Sequence, residues 1–146
     1  MCGDVSTTQT LKQEIMIEEQ VLNALSILGF RPEAIEDFGY RFDYEDLNVL
    51  YSAEDDEAHC ITMAVPGVFE VTDENRHQVL EAMADVCGRV KYAQPVIAFK
   101  DHVWINYQHY VGENEITPEL IEHMVRVLAY ATIQFHKTIN GETDDD

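Results

Sequence analysis

An α+β fold is predicted: a single domain of order α-βββ-α-ββ-α, with a twisted antiparallel five-stranded sheet flanked by helices. Three observations carry it. Apolar residues recur at three and four in three segments and at two in others, which are the periods of amphipathic helices and half-buried strands. Capping and stop residues bracket the first kind of segment, while Pro, Gly and acidic clusters bracket the second.

In the first helix Thr10 and Gln13 have capping-box spacing, and Leu11, Ile15, Leu22, Leu25 and Leu28 form its stripe. Gly29 closes it, and Pro32 prevents continuation. From Phe38 the period becomes two, with Phe38, Tyr40, Phe42 and Tyr44 alternating with Gly39, Arg41 and Asp43. Glu45-Asp46 turns the chain into a second strand, 47–51, and the acidic run 54–57 separates that from a third, 59–65. Three strands so closely spaced predict an antiparallel meander, which Pro66-Gly67 ends.

Thr72 or Asp73 is expected to cap the second helix, which carries Val79, Met83, Val86 and Cys87 on its apolar stripe. Leu80 and Ala84 widen that stripe, and Gly88 terminates it. Strands 96–100 and 103–110 then form a hairpin about Asp101-His102. The last helix starts with Thr117 as N-cap, Pro118 at its first position and Glu119 at the positive end of its dipole, with Ile116 stapled on Ile121. Leu120, Met124, Val127, Leu128, Ala131, Phe135 and Ile139 face inward, and Asn140-Gly141 is the stop.

With 146 residues, 46% of them apolar and 25% charged, the chain has the size and balance of one globular domain. The domain is taken as residues 1–146, with a core over about 8–140 and flexible ends at 1–7 and 141–146. No repeat or linker marks a second unit. Nine Lys and Arg against twenty-eight Asp and Glu give a net charge of −19, which repels phosphate backbones and anionic lipid. Nucleic acid and membrane are therefore not expected partners. The absence of a leader-like start and of a spanning apolar stretch predicts a cytoplasmic protein, with Cys2, Cys60 and Cys87 reduced and the last two in the core.

Reactive chemistry finds little footing. Met1-Cys2-Gly3 resembles the start of amidotransferases with an N-terminal cysteine nucleophile, but the chain is too short and too poor in arginine for the rest of that machinery. The six histidines form no HExxH or zinc-like spacing, and the seven glycines form no phosphate cradle. The acidic runs 54–57 and 142–146 are expected to be a solvated turn and a frayed end, and the first lacks the ligand spacing and turn glycine of a calcium loop. No catalytic residue, metal or cofactor is predicted.

The hairpin is more informative, because apolar residues stand on both of its faces: Ile97 and Phe99 on one, Val96 and Ala98 on the other. Trp104 opposes Val103, Ile105 and Tyr107, and shares its face with Asn106 and Gln108. Either a loop or the second helix covers the second face, or it is an interface anchored on Trp104. The interface is the preferred reading, on the expectation that this face is too apolar to be left in water. Val96, Ala98, Trp104, Asn106 and Gln108 are its candidate residues.

The element order, the passage Val86-Cys87-Gly88-Arg89-Val90-Lys91-Tyr92 and the closing Glu115-Ile116-Thr117-Pro118-Glu119-Leu120 resemble the YbjN-like and type III secretion chaperone-like superfamily over about residues 10–140. One departure is Gly88, where YbjN-like chains commonly carry asparagines. The resemblance implies an acidic homodimer that works by binding another polypeptide, chaperone-like or regulatory, without catalytic residues. A small hydrolase or cofactor enzyme with a site assembled from distant residues, and a structural subunit of a fixed complex, are the alternatives.

Overall fold

A computed structural model describes residues 17–53, 59–98 and 101–141. The first helix, α1, occupies residues 17–27 of the described chain; Thr10, Leu11, Gln13 and Ile15 lie outside it. Ile17, Val21, Ala24 and Leu25 are buried on one side of α1. Its end is made by backbone bonds from Gly29 N to Ser26 O and from Phe30 N to Leu25 O, the paired pattern of a helix stopped at glycine.

Six strands follow where five were expected. They are β1 (Glu33–Ile35), β2 (Gly39–Tyr44), β3 (Leu47–Ser52), β4 (Cys60–Glu70), β5 (Ala93–Ala98) and β6 (His102–Tyr110), with α2 (Arg76–Arg89) between β4 and β5 and α3 (Pro118–Ile139) last. All neighbouring strands are antiparallel, in the order β1-β2-β3-β4-β6-β5. The meander and the hairpin are as expected, and β4 pairing with β6 joins them into one sheet.

The strand bounds depart from the sequence reading for identifiable reasons. Strand β1 has only three residues, too few to display a period, and its pairing with β2 defines it. Strand β4 does not stop at Pro66-Gly67: its register on β6 shifts between Val65 and Phe69 and resumes at Phe69–Val103 and Glu70–His102. Gly67, at φ +56°, takes the left-handed backbone that lets the strand bulge around a residue without an amide donor. Strand β5 begins at Ala93 and runs through Pro95, which an outermost strand tolerates.

Helix α2 also differs in its ends. Thr72 and Asn75 exchange hydrogen bonds, Asn75 N to Thr72 Oγ1 at 3.2 Å and Thr72 N to Asn75 Oδ1 at 2.7 Å, so that Asn75 stands at the N-cap instead of Thr72 or Asp73. Gly88 lies inside the helix, which ends where Val90 turns extended and donates to Val86 O. Val79, Ala82 and Val86 are its buried residues. Leu80, Ala84 and Cys87 are exposed and Cys60 is half-buried, so neither pair belongs to the core as expected. The inward stripe of α2 is narrow, and the other face stays in solvent.

Helix α3 begins as the sequence dictates, with Thr117 Oγ1 accepting from Leu120 N at 3.2 Å and Pro118 at the first turn. Thr117→Ala removes that acceptor and is expected to lower unfolding free energy by about 1 kcal/mol, measurable in urea as a shifted midpoint with an unchanged slope. The three helices, Phe42, Val49 and Tyr51 of β2 and β3, and Ile61, Met63, Val103, Ile105 and Tyr107 of β4 and β6 share one hydrophobic cluster. Because side chains alternate across a strand, that cluster uses one face of the sheet.

Candidate functional site

The other face carries the residues of opposite parity. Cross-strand partners set its rows: Gln94, Asn106, Ala64, Leu50 and Arg41 in one, Val96 beside Trp104 in the next, and Ala98 beside His102 beyond that. Val96, Ala98, Trp104, Asn106 and Gln108 are thus brought onto one face. None of Val96, Ala98, Trp104, Leu50 or Ala64 belongs to the core cluster, and the buried stripes of the three described helices point into that cluster. Among the described residues, no helix covers this face.

Its texture is more polar than expected. Trp104, Val96, Ala98 and Asn106 are partly buried by their neighbours, and Gln108 is exposed. Toward β1 the surface is hydrophilic: Arg41 pairs with Glu33 at 3.0 Å and donates to Asn48 Oδ1 at 3.4 Å. Gln108 donates to Thr62 Oγ1 at 3.5 Å. Trp104, Val96, Ala98 and Leu50 supply the apolar part around a buried Ala64, so the face is a mixed surface with an apolar sector. Asn106 Oδ1 is secluded at its centre without a hydrogen-bond partner among the described residues, a costly state for an amide oxygen.

Leu50 and Ala64 were not foreseen as part of this surface. The signal for Leu50 was present in the alternation of 47–51, where Val49 and Tyr51 point inward. Phe99, expected on the opposite face with Ile97, lies outside the described residues, as does Cys2. Ile97 packs against the core from its place opposite Val103. Burial raises the phenol pKa of Tyr107 on the covered face, with Tyr92 adding to the shift, and also that of Tyr40, reinforced by Glu18.

Among the described residues, no three His, Cys, Asp or Glu side chains converge on a possible metal site, and no helix is long and apolar enough to cross a membrane.

The backbone arrangement places the protein among YbjN-like folds. YbjN from E. coli, described as a candidate transcription regulator, superposes with a TM-score of 0.59 at 12% sequence identity, over 83% of this chain and 87% of that one. An uncharacterized protein from Methanothermobacter thermautotrophicus superposes with a TM-score of 0.53 at 14% identity, over 85% of this chain and 96% of its own. No family model and no curated protein sequence matches the chain.

Proposed function

We propose that the protein is a non-enzymatic polypeptide-binding module, chaperone-like or regulatory, that acts as a homodimer through the helix-free face of its sheet. The observation that carries this is the grouping of the half-buried Trp104, Val96, Ala98 and Leu50 on a face that no described helix covers. A tryptophan buries a large area at small entropic cost, and flanking polar groups such as Asn106 and Gln108 give such a surface orientation and specificity. A regulatory role would run through protein contacts, since a net charge of −19 opposes approach to a phosphate backbone.

Trp104 is the chain's single tryptophan, so its emission reports this face alone. Light scattering is expected to give twice the 16.7 kDa chain mass, and dilution through the dissociation range should move the emission to the red. Trp104→Glu should give monomers that melt cooperatively and no longer recover a partner. A monomeric wild type whose partner recovery ignores Trp104→Glu would remove the reading.

A further inference from the structure

On the helical side, where the end of α2, the 90–92 connection and α3 meet, Arg89, Lys91, Tyr92, His123, Arg126 and Tyr130 line an open cavity of about 320 Å³. Three of the chain's nine Lys and Arg side chains line it, and no Asp or Glu does. On a molecule of net charge −19 this is a local reversal of sign. Lys91 is exposed and makes no ion pair among the described residues. Among the described residues, Arg89 and Arg126 pair with i,i+4 carboxylates: Asp85, at 3.1 Å, which is half-buried and also accepts from Thr138 Oγ1 at 3.0 Å, and the exposed Glu122, at 3.5 Å. Such pairs are weak, so both guanidinium groups remain open to a stronger anion.

Tyr92 gives the second, independent observation. Its φ is +77°, and Ala93 N donates to Lys91 O at 2.9 Å across it, which closes a three-residue turn that bulky side chains rarely adopt. Strain of this kind persists where the surroundings hold it and clusters at ligand sites. The surroundings are aromatic: the Tyr92 ring stacks on Tyr107 with centroids 5.8 Å apart and planes 7° from parallel, and meets His123 edge-on at 5.5 Å. Even so, Tyr92 is 63% exposed, and Tyr130 on the same cavity is 51% exposed. The chain thus fixes an aromatic ring in a costly conformation beside three cationic side chains, of which Lys91 makes no ion pair among the described residues.

We propose that this cavity binds a small ligand that joins a planar aromatic ring to a phosphate or carboxylate, as a mononucleotide does. The ring would lie against the exposed phenols, and the anion would bind Lys91, Arg89 and Arg126. At about 320 Å³ the hollow is open to solvent and stands at the small end of small-molecule sites, with room for one ring and its anionic group.

Calorimetric titration with adenosine monophosphate, phenyl phosphate, adenosine and inorganic phosphate tests this on the full chain. The two ring phosphates should bind saturably, and each should exceed adenosine and inorganic phosphate by about tenfold in affinity. Lys91→Gln with Arg126→Gln, and separately Tyr92→Gly, should each weaken adenosine monophosphate by about tenfold or more, the loss expected for a charged hydrogen bond or a stacked ring. Glycine tolerates the backbone at 92, so Tyr92→Gly removes the ring without adding strain, and its thermal midpoint separates lost binding from lost fold. Trp104→Glu should leave the titration unchanged, which keeps this site distinct from the sheet face. No saturable heat from either ring phosphate, equal binding of inorganic phosphate, or indifference to the Lys91 and Arg126 changes would each overturn the proposal.

Discussion

Phe135→Ala is expected to cost about 3–5 kcal/mol, the largest effect of any single truncation considered for this chain. Phe135 is fully buried near the C-terminal end of α3, and its ring meets Phe69 edge-on at 5.9 Å just beyond the β4 bulge. Removing it deletes the transfer energy of an aromatic ring and leaves a void between helix and sheet. The void cannot collapse cheaply, since buried Leu128, Ala131 and Ile139 are held on the same helix. Thermal unfolding should move down by roughly 10 °C or more for a domain of this size. A shift of only a degree or two would mean that the helix is far more loosely seated than its burial implies.

Gly39→Ala should be the most damaging change on the opposite side of the molecule, at about 2 kcal/mol or more. Gly39 lies between Ile35 of β1 and Ser52 of β3, and a methyl group there would overlap the Tyr51 carbonyl oxygen and come within 2.7 Å of Ala53 N. Both are backbone atoms, so no rotamer change relieves the clash; the strands must part. Tyr40, next in sequence, stacks on Tyr51 with centroids 6.1 Å apart, so the damage should spread through β1–β3. Hydrogen exchange should show protection falling in those strands while β5 and β6 keep theirs. Uniform loss across the sheet would instead make the six strands a single cooperative unit.

How far the fold was legible depended on how strongly each segment displays its period. Phe38 to Tyr44 alternates without exception, and the Ile116-Thr117-Pro118 start names its helix by chemistry alone; both appear in the structure within a residue of their expected ends. Glu33–Ile35 is too short to show a pattern, and only its partner makes it a strand. Pro66-Gly67 carries the local signature of a turn, yet the pairing of Phe69 with Val103 overrides it, because tertiary contact can reinstate a ladder that local residues interrupt. Gly88 is likewise a local stop signal that the structure overrides, since α2 continues through it to Arg89.

The candidate surface was half legible. The parity that sets Trp104, Asn106 and Gln108 on one side of β6 is a property of a single strand and can be read directly. Leu50 and Ala64 reach the same surface only through the registers Leu50–Ala64 and Ala64–Asn106, which no single segment encodes. The cavity beside Tyr92 was invisible for a further reason: Arg89 and Arg126 stand far apart in sequence, and the left-handed turn at Tyr92 has no glycine to announce it.

Pro95 limits the addition of further strands to this sheet. An exposed outer strand is ordinarily a template on which a further β-segment can dock, and uncontrolled docking of that kind seeds fibres. At one rim of this sheet the template has a gap, since Pro95 offers no amide proton; at the other it is only the three residues of β1 long. Growth by lateral addition is therefore discouraged at both rims.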